Sequence, residues 1–322
     1  MSSEQSFLSH ARYGKDKVRV LRVVRDGSHH TVVEYYVTAL LEGEVDTSYT
    51  EADNSVIVAT DSIKNITYYL AKVSPHVANP ERFALHLGTH LVAKYAHIHK
   101  AFITIQQLRW SRIPVDASGQ TTPHAHSFYR DGDEKRVTQV EVDASGGKGD
   151  ITAKVTSGIA DLLVLKSTGS AFTNFIRDEY TTLVEVDDRI FSTSVDLSYS
   201  FAPISIKTPS NEDKLDFDVP QGSGGDVWDT EVFDRARKVT LEVFAQDESA
   251  SVQATLYKMA QKIVAENAGV NSVTYTLPNK HYIPVNMDYI KIDNTTPAKA
   301  EVFMPIETPS GLISATISRK TG

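Results

Sequence analysis

Apolar and polar residues alternate early in the chain. Over Lys17–Arg25, Val18, Val20 and Val24 fall on one face, and Leu21 and Val23 on the other. Thr31–Leu41 is β-branched and aromatic, so both stretches read as strands. Gly43–Asn54 reads as a loop. The period then changes. Ile63, Ile66, Leu70 and Val73 recur at helical spacing, with Thr60 or Asp61 placed to cap the start. A second helix is predicted to open at Asn79-Pro80-Glu81, a capping side chain followed by proline in the first turn. Phe83, Leu87 and Leu91 form its apolar face. Strands are expected over Ala101–Arg112 and around Arg136–Val142. The run Asp143–Asp150 is turn-rich and marks the expected boundary between domains 1–147 and 148–322.

The second half repeats that order. Strands are expected at Leu162–Leu165 and Ile190–Phe201, where Val195, Leu197, Tyr199 and Phe201 alternate with polar residues. Pro203–Asp226 reads as a long surface loop. One helix carries Val232, Ala236, Val239 and Val243. The next carries Val252, Leu256, Met259 and Ile263, and a strand at Asn271–Leu277 follows. From Ile63 to Phe83 to Phe102, and from Phe233 to Val252 to Val273, the steps are roughly twenty residues each, as in a duplicated unit. The expected class is α+β. Each copy is strand–strand–helix–helix–strand–strand, an antiparallel sheet with two helices on one face. Open sheets leave edges unpaired, and joining them edge to edge in an oligomeric barrel removes those edges.

Composition narrows the function. The chain has 322 residues, 41% of them hydrophobic, and a formal net charge of −8. That composition is globular, and the acidic balance gives no general attraction to nucleic acid or anionic membranes. An anionic ligand therefore needs a local positive site. There is no cysteine, which excludes disulfides, thiolate metal sites and a cysteine nucleophile. No apolar run approaches the roughly 20 residues of a membrane span. Met1–His10 is polar and carries no signal-peptide core. The terminal Ser318-Arg319-Lys320-Thr321-Gly322 is not a Ser-Lys-Leu address.

Several motifs bear on chemistry. His29-His30, His97-Ile98-His99 and His124-Ala125-His126 invite a metal, since residues two apart on a strand share a face. No carboxylate or cysteine is spaced to complete a ligand set, so the plainer reading is hydrogen-bonding histidines near strand ends. No phosphate loop, dinucleotide fingerprint or nucleophile elbow is found. In Ser249-Ala250-Ser251-Val252-Gln253, Ser251 is placed as an N-cap, leaving the Val252 and Gln253 N–H groups free at a helix N-terminus. Arg189, just before a strand, is either a surface ion-pair partner or a bidentate clamp on a planar anion.

At these residues the chain resembles the urate oxidase family. The likeness runs through Tyr13-Gly14-Lys15, Thr47–Thr50, Ala52–Asn65, Val164–Ser170 leading into Phe172, Arg177–Leu183, Asp188–Ile190, Ser251–Thr255 and Leu277–His281. It implies the tunnelling fold and a homotetramer with active sites at subunit interfaces. It also implies oxidation of urate by dioxygen and water to 5-hydroxyisourate and hydrogen peroxide, with no metal or organic cofactor. Phe172 would stack on the purine and Arg189 would grip it. Gln253 would hydrogen-bond it, Val252 would donate a backbone N–H, and Leu183 and Ile313 would wall the site. Lys15 and Thr60 of a neighbouring chain would shuttle protons, supported by Asp61. His281, also of the neighbouring chain, would extend that relay through water, and Asn279 would hold dioxygen or water. A lysine accepts a proton only when desolvation or nearby positive charge lowers its pKa.

The resemblance also implies a peroxisomal location in a eukaryote and a cytoplasmic one otherwise, although the usual terminal tripeptide is missing. Thr173-Asn174 departs from the aromatic or glycine residues common after Phe172. The competing readings are a tunnelling-fold enzyme acting on a pterin or purine with a metal, a purine-binding protein without turnover, and a copper oxidase. Arg189 with Gln253, in place of an acidic anchor, favours urate.

Overall fold

The first strands pair as their side-chain alternation predicts. β1 (Tyr13–Asp26) and β2 (His29–Gly43) run antiparallel, with Val18 opposite Val37 and Val20 opposite Tyr35, all buried. Opposed residues share a face, so this face is apolar and must be covered. The computed structural model describes residues 6–117, 119–207, 221–222, 225–226 and 228–320. Within the expected loop Gly43–Asn54 lies a short helix, α1 (Asp46–Thr50). It is a single turn with no buried residue, too short to produce an apolar period.

Helix α2 (Thr60–Val73) buries Ile63 and Leu70 and leaves Val73 exposed. The expected cap is corrected here: the N-cap is Ala59, which has no capping side chain, and Thr60 is already helical. Helix α3 (Pro80–Lys94) starts as predicted, with Asn79 Oδ1 accepting from the Arg82 N–H at 2.9 Å. It packs on β3 (Ile98–Ala117) and β4 (Gln120–Asp143), both far longer than expected. Contact is closest at Gly88, where a Cβ would come within 2.7 Å of Val142 Cγ2. In the first turn of α3 the buried Glu81 is held by Arg136 at 2.7 Å and by Ser157. A buried carboxylate without such partners is strongly destabilising.

Asp143–Asp150 forms the turn into β5 (Ile151–Lys166). β6 (Phe191–Phe201) and β7 (Ile204–Ile206) follow, and β7 pairs with residues 151–153 of β5. This corrects part of the expected Pro203–Asp226 loop: Ile204 and Ile206 are buried, and an apolar alternation of only three residues escapes notice. Two-residue strands β8 (Gln221–Gly222) and β9 (Gly225–Asp226) pair with each other. Residues 208–220, 223 and 224 of that loop lie outside the described residues.

Helices α4 (Val232–Gln246) and α5 (Val252–Glu266) come next, packed on each other. On α5, Val252, Leu256, Met259 and Ile263 are all buried, as the period requires. β10 (Val270–Pro284) buries Val273, Tyr275 and Leu277 in alternation, and Tyr275 Oη meets Thr240 Oγ1 of α4 at 2.6 Å. The repeated order calls for one further strand after β10, and the structure has two, β11 (Phe303–Ile306) and β12 (Leu312–Ser318), both paired with β10.

The chain divides into two compact units, Met1–Gly158 with Ser200–Glu231, and Ile159–Tyr199 with Val232–Gly322. In the first, the strand order is β1-β2-β3-β4, and in the second β6 lies beside β10. Apart from the short α1 and the strands shared or added later, the first runs β1–β2–α2–α3–β3–β4 and the second β5–β6–α4–α5–β10 followed by β11 and β12, and both are α+β.

Candidate active site

In the first unit the strand carrying Lys15 is irregular. Lys15 lies opposite Ala39, but Val18 lies opposite Val37, so β1 holds one residue more than β2 across this step. This is a β-bulge. Lys17 adopts the left-handed region with φ 51°. Thr38 Oγ1 pins the bulge, accepting from the Lys17 N–H at 3.2 Å and donating to Asp16 Oδ1 at 2.6 Å. The extra residue changes the alternation. Tyr13 and Lys15 come to share the apolar face with Val18 and Val20, the face on which α2 packs. Gly14 is required at this point, because a Cβ would sit 2.0 Å from the Ala39 carbonyl oxygen.

The start of α2 is the other half of this cluster. Thr60 is its first residue. Asp61 accepts from Lys64 Nζ at 2.5 Å and Asn65 Nδ2 at 3.0 Å. Its carboxyl is held below the usual range, first by Lys64 and in lesser part by the charge of Lys15. Lys15, Thr60 and Asp61 thus gather at one end of α2.

In the second unit a chain segment is clasped on both sides. On one side Phe172 exchanges both backbone hydrogen bonds with Val186, and the Arg189 N–H donates to Ser170 O at 2.8 Å. Asp188 completes this clasp, accepting from Thr168 Oγ1 at 2.6 Å and the Gly169 N–H at 2.7 Å. On the other side, Ala171 N–H donates to Ser249 O and Ser249 N–H to Gly169 O. Ser249 leads to the N-terminus of α5, where Ser251 Oγ accepts from the Ala254 N–H at 3.1 Å as expected. Phe172, Arg189 and the Val252–Gln253 turn are thereby brought together. The Arg189 guanidinium carbon lies 5.1 Å from the Phe172 ring centroid. Burial pushes the Arg189 pKa down from its ordinary value. Val252 is buried and Gln253 exposed. Phe175, not anticipated from sequence, stacks on Phe172 at 4.8 Å between centroids, so a planar ligand on that ring face has to displace it.

β10 brings the remaining groups. It pairs with β12 up to Pro278 and with β11 from His281 onward. Asn279 stands where the partner changes, its N–H donating to Gly311 O at 2.7 Å. Ile313, opposite Leu277, is close by in the sheet. A cavity of about 480 Å³ is lined by Leu183, Arg189, Asn279 and His281, with Tyr282 and Phe303 among its other walls, so His281, expected from the neighbouring chain, stands here beside Arg189 of its own chain. Phe172, Val252, Gln253 and Ile313 do not line it.

Two atoms in that lining stand out. Arg189 Nε and Asn279 Oδ1 are buried, and neither has a hydrogen-bond partner. A buried donor or acceptor left unmatched costs about 1–3 kcal/mol. One of each, on residues lining one cavity, fits a ligand that both accepts and donates hydrogen bonds.

The histidine pairs partly converge. The His124 and His126 rings lie 4.5 Å apart, and the His30 and His126 rings 5.7 Å. Among the described residues, no group of three or more His, Asp or Glu side chains is arranged to hold a metal ion.

The uricase family profile matches residues 11–141 and 155–314. The chain is similar to uricase of Emericella nidulans, 48% identical over 98% of each chain. It is also 48% identical to uricase of Aspergillus flavus, over 97% of this chain and 96% of that one. The crystal structure of uricase from Arthrobacter globiformis superposes with a TM-score of 0.79 at 31% identity, covering 99% of this chain and 96% of the other. That likeness agrees with the tunnelling fold expected from sequence.

Proposed function

The chain belongs to the uricase family and oxidises urate, and we propose that it does so with dioxygen and water alone, using no resident cofactor. Urate, dioxygen and water give 5-hydroxyisourate and hydrogen peroxide. Two electrons leave the purine, both end on dioxygen, and the hydroxyl added at carbon 5 comes from water. Urate is electron-rich and loses protons readily. The protein's task is then positioning, deprotonation and stabilisation of charge.

The observation that carries this reading is the unmatched pair, Arg189 Nε and Asn279 Oδ1. A guanidinium fork suits the edge of a planar anion. Arg189 grips urate, with Gln253 and the Val252 N–H beside it and Phe172 stacked on the ring. Leu183 and Ile313 supply apolar walls. Asn279 holds dioxygen or water over the ring, and His281 passes protons through water.

Lys15 and Thr60 take and return the protons, with Asp61 beside them. These three belong to the other compact unit from Arg189 and Phe172. The proposal unites the two groups across the boundary between chains of a homotetramer, the purine clamp from one chain and the proton shuttle from its neighbour.

The test is to mix metal-stripped protein with urate in air, following urate absorbance and peroxide. Loss of urate with equimolar peroxide sustains the cofactor-free route. Turnover that returns only when a metal is restored would overturn it. Urate bound without turnover under both conditions would make the chain a purine-binding protein.

A further inference from the structure

We propose that Tyr13 is a positioning residue for the Lys15–Thr60 pair, its phenol oxygen tying the strand that bears Lys15 to the segment that delivers Thr60. The inference rests on the proton-shuttle reading of those two residues.

The Tyr13 hydroxyl accepts the Val58 N–H at 2.9 Å, across 45 residues of sequence. Val58 is buried and stands two residues before Thr60. Most helices are located at their start by a capping side chain. α2 has none, because its N-cap is Ala59. The local bonds of this stretch hold it to itself: Asp53 Oδ1 accepts the Ser55 N–H, and the Ile57 N–H donates to Asn54 O. They do not set its distance from β1, whereas the Tyr13–Val58 bond does.

Tyr13 is itself well anchored. It lies opposite Leu41 on β2, beside Gly14, where the close approach to Ala39 tolerates no side chain. Lys15, two residues on, shares its face by plain alternation, and the bulge beyond sets both on the face of Val18. One short stretch therefore carries the proton-bearing amine and, two residues away, the hydroxyl that locates its partner. Burial raises the phenol's pKa, so the hydroxyl stays protonated and accepts through a lone pair.

The experiment is Tyr13→Phe, which keeps the ring and removes the oxygen, compared with Lys15→Met and with the double variant. The readouts are kcat, KM and the Kd of xanthine, a purine of similar shape. Tyr13→Phe is expected to lower kcat about tenfold, as displacement of a catalytic pair by a fraction of an ångström does, and to change KM and the xanthine Kd less than about twofold. In the Lys15→Met background it is expected to cost nothing further, because the pair it serves is already broken. Wild-type kcat in Tyr13→Phe, with Lys15→Met impaired, would overturn the positioning role alone. An undiminished tenfold loss in the Lys15→Met background would overturn it too. Wild-type kcat in Lys15→Met would instead remove the proton-shuttle reading, and this inference with it.

Discussion

Arg189 depends on its neighbour. The Asp188 carboxylate fastens Thr168 and Gly169, and through them the segment on which both Ser170 and Phe172 stand. Asp188→Asn keeps the shape and loses the charge that strengthens those bonds. Urate KM is expected to rise several-fold while kcat at saturation is largely kept, which steady-state kinetics would show. Arg189→Lys retains a cation but loses the fork. A loss of about 2 kcal/mol in kcat/KM, roughly thirtyfold and carried mainly by KM, is expected if the grip is bidentate. Arg189 was legible because the chain presents it in a motif and the purine chemistry asks for a guanidinium. The role of Asp188 was not, since it depends on residues 168–170 returning to meet it. Neither was the stacking of Phe175 on Phe172, which follows from how that segment bends rather than from its composition.

Helices were the most legible elements. Their apolar stripes are continuous, and Asn79 and Ser251 announce two of the starts. β12 was missed for a physical reason. Its alternation sets half-buried Ile313 and Ile317 among exposed residues, and Leu312 is 66% exposed, so the apolar signal is faint. The extra length of β3 and β4 was missed likewise, since bulges near Leu108–Trp110 and Arg112–Pro114 break the period. Two predictions belong to α3. Gly88→Ala pushes a methyl group against Val142 and is expected to cost about 1–3 kcal/mol, lowering the thermal midpoint. His86, buried with its Nδ1 2.8 Å from Ser74 Oγ, has its pKa pushed down to about 4 by burial. Its folded pKa lies below the unfolded 6.5, so the unfolded chain takes the proton first. The associated stability is complete above pH 6.5 and is lost as pH falls toward 4, by up to about 3 kcal/mol. Urea melts of His86→Gln across that range should show a shallower fall than the parent protein, and parallel curves would count against it.

At the scale of the whole molecule, the repeated order of strands and helices was legible from spacing alone, because both halves place their helical stripes at similar intervals. The passage of β5 through both compact units was not, since one apolar strand reads the same wherever units divide. The proposed sharing of a site between chains has its own test. Lys15→Met and Arg189→Ala are each expected to be nearly inactive. Refolded together at equal amounts, they should regain about a quarter of normal activity if the clamp and the shuttle come from different chains of a symmetric oligomer. If one chain supplied both groups, mixing would restore nothing.

The bulge at Lys15–Val18 also bears on which changes of length the chain can survive. Strand residues alternate in a two-step frame, and the additional residue there resets the frame ahead of it. Substitutions at Asp16 or Lys17 leave that frame intact. Deletion of either would leave Lys15 two residues from Val18, a plain alternation that keeps Tyr13 and Lys15 on the same side as Val18. Flattening the bulge at its present length would instead turn both to the opposite side, so the bulge is needed only while the extra residue is there. Homologous chains and engineered variants that lack the extra residue should therefore stay active, with Tyr13 and Lys15 on the same face as before.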